Sequence, residues 1–539
     1  MSVIRSSIDP ASPTFAANRT AMLALIGQFR AFEEQVRRTS NAKKDQFVKR
    51  GQLLPRERVA LLLDRGSPFL ELSTLAGLGM HDDDGKENVL GGGVIDGIGY
   101  VASVRCLISA SDSAIKGGTT APMGLKKKLR CQEIALANKL PLIQLVESGG
   151  ANLNYQAQIF VEGGQTFRNQ ARLSAAGIPQ VTVVHGSSTA GGAYLPGLSD
   201  YVIMVKNRAK VFLAGPPLLR AATGEIAGDE ELGGAEMHST VSGVSDYLAE
   251  DDADGIRLCR EVMAKLHWND ALPPQPARSF REPRYDIDEL CGVVPVDYRK
   301  PYDVREVIAR LVDDSDLVEF KALYGAQTLC GEAEIEGHPL AIIGNNGPID
   351  ADGSVKAAQF IQLMCQAGIP ILYLQNTTGY MVGTEAERRG IVKHGSKMIQ
   401  AVANASVPQL TLHIGASFGA GNYGMCGRAY DPRFIFAWPN NRIAVMGGEQ
   451  AAKVLAIITE ERQRRAGRVV DEAQLEAMKQ KIIDQFERES TALYATARLW
   501  DDGLIDPRDS RKVLGFCLSI CREAAIRPLN RTSFGVARM

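Results

Sequence analysis

One pattern occurs twice in this chain, and it limits the fold more than any other feature. An apolar, β-branched run stops in small residues, and a stretch able to begin a helix follows. The first instance is Val181-Thr-Val-Val184 leading into His185-Gly-Ser-Ser-Thr-Ala190-Gly191-Gly192-Ala193-Tyr194. The second is Gln409-Leu-Thr-Leu412 leading into His413-Ile-Gly-Ala-Ser-Phe-Gly419-Ala420-Gly421-Asn422-Tyr423-Gly424. Small residues between a strand and a helix leave backbone N–H groups uncovered. Fixed amide dipoles of that kind hold an anion or a developing oxyanion. Two such turns point to two oxyanions on one enzyme.

The repetition reaches well beyond the turns. Asp64-Arg-Gly-Ser-Pro-Phe-Leu-Glu-Leu72 returns as Asp313-Asp-Ser-Asp-Leu-Val-Glu-Phe320, and Val94-Ile-Asp-Gly97 as Glu334-Ile-Glu-Gly337. Leu140-Pro-Leu-Ile-Gln-Leu145 returns as Ile369-Pro-Ile-Leu-Tyr-Leu374, and Val211-Phe-Leu-Ala-Gly215 as Ile443-Ala-Val-Met-Gly447. Strand, turn and helix alternate from Gly91 onward, which predicts an α/β fold with parallel pairing. The chain therefore reads as a tandem duplication of one α/β unit. Its 539 residues suit two domains of about 250 residues better than one core. The proline-rich Asn269-Asp-Ala-Leu-Pro-Pro-Gln-Pro-Ala277 opens a linker over residues 269–303. Residues 18–64 carry helical spacing, with Leu23, Leu25, Ile26, Phe29 and Phe32 on one face. The basic stretch Lys43 to Arg50 reads as a solvated helix face, with the phosphates of a nucleotide-bearing substrate as the alternative.

Charge and cysteine usage narrow the partners. Sixty-one basic against 62 acidic residues leave a net charge of −1, which argues against nucleic acid or an anionic membrane surface. No apolar run is long enough for a membrane span. The nine scattered cysteines contain no CxxC pair, so neither a disulfide framework nor a metal site is expected. Residues 1–17 lack a signal-peptide core, and a cytoplasmic location is expected.

Conventional catalytic sets are missing. HExxH and Walker sequences do not occur. Gly415-Ala-Ser417-Phe-Gly419 has the letters of a nucleophile elbow, but no histidine follows His413. Gly419-Ala-Gly421-Asn-Tyr-Gly424 has the letters of a dinucleotide fingerprint, but it lies far from any first strand. His185 and His413, placed at strand ends beside the turns, read as structural histidines. The chemistry then rests on backbone donors, with the base supplied by a cofactor or a partner.

Gly191-Gly-Ala-Tyr194, Phe212-Leu-Ala-Gly-Pro-Pro217, Ala222-Thr-Gly-Glu225 and Glu231-Leu-Gly-Gly-Ala235 resemble the carboxyltransferase (β) subunits of biotin-dependent acyl-CoA carboxylases. Asn376-Thr-Thr-Gly379, Gly419-Ala-Gly-Asn-Tyr-Gly-Met-Cys426 and Met446-Gly-Gly-Glu-Gln450 extend the likeness through the second half. The resemblance implies a duplicated crotonase-like (ClpP/crotonase) fold: an arm over residues 1–21, an acyl-CoA-side domain over 22–278 and a biotin-side domain over 279–539. It implies a β6 core within an α6β6 assembly. The α subunit would carry biotin and use ATP, Mg and bicarbonate, with no metal in this chain. The full Ala-Met-Lys-Met biotinylation motif is absent, and Ala477-Met478-Lys479 is followed by Gln480.

Carried onto this sequence, the resemblance gives amides near Gly191 and Gly192 to the thioester oxygen as the enolate forms. Those at Ala420 and Gly421 take the ureido oxygen of biotin. The acyl-CoA side would include Lys116, Gly117, Gly118, Thr120, Ala121, Ser148, Gly149, Gly150 and Ala193. The biotin side would include Thr378, Gly379, Phe418, Gly419 and Tyr423. Lys126, Lys127, Lys128 and Arg172 are candidates for CoA phosphates.

Phe418 to Tyr430 and Trp438-Pro439 resemble the branch acting on β-methylated, α,β-unsaturated acyl-CoAs, where carboxylation falls on the γ carbon. Methylcrotonyl-CoA carboxylases usually carry an aromatic pair where this chain has Thr120 and Ala121. Small residues there leave room for a longer acyl chain, and each buried methylene is worth ~0.8 kcal/mol. The expectation is thus a geranyl-CoA carboxylase β subunit of acyclic terpene catabolism, with 3-methylcrotonyl-CoA of leucine catabolism as the alternative. Two readings of another class are a non-catalytic assembly subunit and a hydratase or hydrolase using Glu147.

Overall fold

The structure is a computed structural model that describes residues 3–81, 90–274, 278–467 and 471–537. Internal packing divides the chain into two compact units. The first comprises residues 31–275, 497–499 and 520–539; the second comprises 1–30, 276–496 and 500–519. Each unit thus takes in a terminal segment from the opposite end of the chain. The helix expected within 18–64 begins earlier, at Pro13, and runs to Asn41, so it overlaps the expected arm. Shorter helices follow at Lys44–Lys49 and Pro55–Leu62.

The first unit is built on an eight-stranded sheet: β1 (Leu70–Leu72), β2 (Val94–Val101), β3 (Val104–Ser111), β4 (Leu142–Ser148), β5 (Gln180–Thr189), β6 (Tyr201–Val205), β7 (Lys210–Phe212) and β8 (Tyr247–Ala249). The order is β1-β2-β3-β4-β5-β6-β8, with β7 pairing beyond the end of β6 on β5. Pairing is antiparallel through the β2–β3 hairpin and parallel from β3 onward. The second unit repeats the plan with β9 (Val318–Glu319), β10 (Thr328–Ile335), β11 (His338–Asn345), β12 (Ile371–Thr377), β13 (Gln409–Phe418), β14 (Phe434–Ala437) and β15 (Arg442–Ala444). Its order is β14-β13-β12-β11-β10-β9, with β15 on β13. Only β8 has no counterpart among the described strands. The duplicated α/β fold expected from the sequence is what the chain adopts.

Register fixes the correspondence residue by residue. Leu142 faces Gln180 where Ile371 faces Gln409, and Ser148 faces Ser188 where Thr377 faces Ser417. A crossover helix of 17 residues follows each hairpin, Pro122–Asn138 and Ala351–Ala367. Proline opens the first, fitting a position whose N–H has no helical partner. Asp350 caps the second by accepting from Gly353 N at 2.6 Å. Ile108, Ile143, Val181, Ile203 and Ile256 form the heart of the first core; Ile343, Phe360, Ile371 and Tyr373 form that of the second.

The first turn of the framework is duplicated down to its ion pairs. Asp64 accepts from Ala102 N and Ser103 N at 2.9 and 2.7 Å, and Asp313 accepts from Glu336 N and Gly337 N at the same two distances. Arg260 reaches Asp64 at 2.9 Å, and Arg511 reaches Asp313 at 2.7 Å. Arg56 forks onto Glu71, and Arg305 onto Glu319.

Three sequence expectations change. Gly97 lies opposite Glu71 and Gly331 opposite Glu319, so Gly331, not Gly337, is the counterpart of Gly97. The echo between Val94–Gly97 and Glu334–Gly337 is a chance likeness between a strand's start and a hairpin turn. The linker over 269–303 is not loose throughout, because Leu290, Cys291, Val293 and Val294 are buried. Third, the histidines lie inside strands, not at their ends, since β5 continues to Thr189 and β13 to Phe418.

Candidate active site

In the first unit the glycine turn begins where β5 ends. Thr189 is extended, Ala190 adopts a left-handed φ of 54°, and Ala190–Ala193 form one tight 3-10 turn. The second unit repeats this: Phe418 is extended, Gly419 has φ 55°, and Gly419–Gly424 form a short helix. N–H groups at the start of such a turn precede its first internal hydrogen bond. Gly191 and Ala420 are exposed. Ala190 holds with a methyl group the conformation that glycine adopts more easily, a strain of the kind that collects at functional turns.

Around the first turn the expected acyl-CoA residues come together. Ser148 Oγ donates to Gly118 O at 2.6 Å and accepts from Gly150 N at 3.2 Å. Gly149 N donates to Gly117 O, Thr120 N to Gly150 O and Asn152 N to Thr120 O. Ser188 Oγ donates to Gly192 O at 2.9 Å, bracing the turn from below. Lys116 is exposed beside Gly117, while Ala193 is buried. Ala121 is buried against Ile115 at the start of the crossover helix.

The same stitching recurs around the second turn. Thr377 Oγ1 bonds Gly347 O at 3.3 Å and Gly379 O at 3.1 Å, and accepts from Gly379 N at 3.2 Å. A Cβ on Gly421 would lie 2.9 Å from both Gly379 Cα and Thr377 Cγ2, so the turn packs directly on the 377–379 segment. Thr378 and Tyr423 are exposed. The Phe418 ring is buried, with Tyr298 edge-on at 5.1 Å. Tyr298 was not anticipated from sequence; it lies in the proline-rich linker region and has no motif around it.

A buried network under the first turn was also missed. Arg58 donates from Nη1 to Glu147 Oε2 at 2.6 Å and from Nε to Asp252 Oδ2 at 3.0 Å. His185 Nδ1 meets Asp252 Oδ1 at 2.8 Å. Glu147 also accepts from Ser113 Oγ at 2.8 Å and Gln52 Nε2 at 3.2 Å. Burial and the adjacent Arg58 guanidinium push the His185 pKa down against the pull of Asp252. Burial would raise the Asp252 carboxyl, but bonds from His185 and the charge of Arg58 hold it below its usual range. His413 is different: burial pushes it down to about 4, with Asn441 pulling the other way. His413 is the fifth residue of β13, and His185 the sixth of β5, so the two side chains face opposite sides of their sheets.

Other expectations resolve simply. Lys127 is buried and donates to Gly91 O and Val94 O, so it is a framework residue, not a phosphate ligand. Lys126 and Arg172 are exposed. Ala477-Met478-Lys479 lies inside the helix Glu472–Glu489, with Lys479 paired to Glu476. Among the described residues no group of His, Cys, Asp and Glu is placed to hold a metal ion, and no helix is long and apolar enough to cross a membrane.

Residues 46–533 match the carboxyl transferase domain. The chain is 48% identical, over all of its length and 95% of the relative, to a probable mitochondrial methylcrotonoyl-CoA carboxylase beta chain of Drosophila melanogaster. It is 50% identical, over 97% of its length and 96% of the relative, to a biotin-dependent 3-methylcrotonyl-coenzyme A carboxylase beta1 subunit of Mycobacterium tuberculosis. Among solved structures, the geranyl-CoA carboxylase beta subunit of P. aeruginosa superposes with a TM-score of 0.94 at 61% identity, each chain covered completely. With its duplicated crotonase-like units and its match along nearly the whole length, this chain belongs to the carboxyltransferase β subunits of biotin-dependent acyl-CoA carboxylases.

Proposed function

We propose that this chain carboxylates the γ carbon of geranyl-CoA, receiving the carboxyl group from biotin borne by an α subunit. The observation that carries the choice of substrate is the 61% identity to a geranyl-CoA carboxylase β subunit, against 48–50% to methylcrotonyl-CoA relatives. Thr120 and Ala121, small where methylcrotonyl-CoA enzymes usually place rings, support the same reading. 3-Methylcrotonyl-CoA is the second reading, favoured by the full-length likeness to the fly and mycobacterial chains.

On this reading the first turn receives the thioester oxygen. Its amides bond more strongly as negative charge grows there, so they lower the barrier to γ-proton loss and not merely the binding energy. Ser148 and Ser188 hold the surrounding backbone so that little reorganisation is needed. The second turn suits a neutral urea: amides at Ala420 and Gly421, backbone of Gly379 beside them, Thr378 and Tyr423 exposed at the rim, and no charged side chain required. Carboxybiotin, when bound, supplies the carboxyl group and the nitrogen that accepts the substrate proton. The chain's own part is to orient both reactants and to fix their oxygens.

Glu147 is poorly suited to hydratase or hydrolase chemistry, because Arg58, Ser113 and Gln52 already occupy its oxygens. An assembly-only role leaves the uncovered amides of the two glycine turns without a task. A β6 core, an α6β6 complex, ATP, Mg and bicarbonate use by the partner, and a cytoplasmic location complete the proposal. So does the division into an acyl-CoA side and a biotin side.

The test is ATP-dependent fixation of labelled bicarbonate by the chain joined to its biotinylated partner. Geranyl-CoA turning over well ahead of 3-methylcrotonyl-CoA supports the reading, and Ala121→Phe should then reverse the preference. A preference for 3-methylcrotonyl-CoA in the unaltered enzyme moves the assignment to the second reading. Absence of any acyl-CoA carboxylation, with the partner shown to be carboxylated, overturns the enzyme reading.

A further inference from the structure

The duplication contains its own control experiment. Glu147 at the end of β4 occupies the place that Asn376 holds at the end of β12, since Ser148 answers Thr377 in the register. Each side chain fills a space left by a glycine on the next strand. A Cβ on Gly186 would lie 2.7 Å from Glu147 Cγ, and one on Gly415 would lie 2.3 Å from Asn376 Oδ1.

The second unit solves this corner with neutral groups. Asn376 Oδ1 accepts from Ala416 N at 3.2 Å, and Asn376 N donates to Asn345 Oδ1 at 3.4 Å. Arg305, which pairs with Glu319 as Arg56 pairs with Glu71, is followed two residues later by a buried valine, Val307. In the first unit the residue two beyond Arg56 is Arg58, only 1% exposed, whose side chain joins Glu147 to Asp252. The residue of β13 matching His185 is Ile414, also buried. Buried ion pairs are weak contributors to stability, and well-packed neutral residues often replace them without loss. The fold therefore does not require this network, because its other copy does without it.

We infer that Glu147 is a positioning residue for the acyl-CoA chemistry, its clamped carboxylate fixing the 113–118 loop against the ends of β4 and β5. The inference rests on the reading that the first turn receives the thioester oxygen. The path is short. Ser113 Oγ ties the start of the loop to Glu147 Oε2. Gln52 Nε2 spans Glu147 Oε1 and His185 O, joining the same carboxylate to β5. At the loop's end Gly118 packs so closely that a Cβ would lie 2.2 Å from Glu147 O. A loop pinned at both ends holds Lys116, Gly117 and Gly118 in one arrangement beside the turn that receives the thioester oxygen, whereas a loop released from Ser113 samples several. Effective catalysis by dipoles depends on that angle more than ground-state binding does.

The experiment uses the holoenzyme with geranyl-CoA and 3-methylcrotonyl-CoA, following labelled bicarbonate. Glu147→Gln keeps the shape and removes the charge; Ser113→Ala removes one tether from a partly exposed loop and leaves the core intact. Glu147→Gln is expected to lower kcat about tenfold or more with acyl-CoA KM within about twofold, and Ser113→Ala to lower kcat about threefold at unchanged melting temperature. Unchanged kcat in both variants, or a rise confined to KM, overturns the inference. If Glu147→Gln does not fold, Ser113→Ala decides alone. If the unaltered holoenzyme carboxylates neither acyl-CoA, the functional reading has failed and the inference falls with it, a result distinguishable from a variant that stays fully active.

Discussion

The two units share a plan and differ in how they treat charge. Hairpins, crossover helices, aspartate-capped turns and Arg–Glu forks match position for position. Beneath the glycine turns the likeness ends. The first unit buries Arg58, Asp252 and His185 around a half-buried Glu147, while the second sets Val307, Asn376 and Ile414 where Arg58, Glu147 and His185 stand. A duplicated scaffold shows which features the fold needs, because those are kept in both copies. What only one copy keeps belongs to the work of that copy.

The sharpest contrast is at Gly118 and its counterpart Gly347. Gly118 has φ +67° and backbone within 2.2 Å of any Cβ; Gly347 has an ordinary φ, and its Cβ would meet only the flexible end of Gln327 at 2.7 Å. Gly118→Ala should cost about 3–5 kcal/mol, the sum of a left-handed alanine and a backbone clash, and Gly347→Ala about 1 kcal/mol. Chemical denaturation of each variant measures the gap, and equal costs would break the comparison.

Protonation gives the next test, through two buried groups of the second unit. His413 in the second unit stays neutral until its pKa of about 4, against an ordinary 6.5. Below pH 6.5 the unfolded chain binds a proton that the folded chain refuses, so stability falls as pH drops toward 4, by up to ~3 kcal/mol. Asp501, raised to about 7 mainly by burial and then by nearby Asp502, with the bond from Thr496 opposing, has the opposite sign. It is fully stabilising below its unfolded pKa near 4, and the contribution disappears as pH rises to 7, by ~4 kcal/mol. Relative to wild type, Asp501→Asn should therefore gain stability as pH rises from 4 to 7. His413→Leu should gain as pH falls from 6.5 to 4. Thermal midpoints against pH test both slopes.

Smaller effects test the sameness of the copies. Ser148→Ala removes a hydroxyl bonded to two backbone groups and Thr377→Val one bonded to three, and each should cost about 1–2 kcal/mol. Their activities should diverge in kind, with Ser148→Ala affecting acyl-CoA kinetics and Thr377→Val affecting the carboxybiotin side. Arg56→Met and Arg305→Met should each cost about 1–2 kcal/mol, because each leaves a mostly buried carboxylate without its fork, and the two values should agree closely. A large difference would show that the two framework pairs are not equivalent.

Much of this was legible in the sequence because it is local. β-Branched runs, small-residue turns and the Leu-Glu-Leu/Val-Glu-Phe echo declare themselves within a few residues. So did both glycine turns; the segments at 116–121, 148–150 and 378–379, which fold beside them, were named through the resemblance. Register was harder. His185 and His413 looked equivalent because each follows a four-residue apolar run, yet one residue of offset turns them to opposite faces. Gly97 was paired with Gly337 through shared letters, when the pairing partner Glu71 marks Gly331 as its match. The Arg58 network was illegible: its members stand far apart in the chain, and a lone Arg58 in Pro-Arg-Glu-Arg-Val reads as surface charge. Burial of an arginine is decided by the whole tertiary arrangement, not by its neighbours in sequence.

The exchange of terminal segments has a consequence for how the chain is made. Ser6 and Ser7 bond Glu306, and Phe15 packs where a Cβ on Gly292 would sit, so the earliest residues complete the second unit. Lys139 donates to Arg527 O and Arg105 pairs with Glu523, so the latest residues complete the first. A ribosome delivers domains from the amino terminus forward. Here the first unit cannot be finished ahead of the second. The earliest residues wait for the second unit to be synthesised, and the first unit waits for nearly the last residues to emerge.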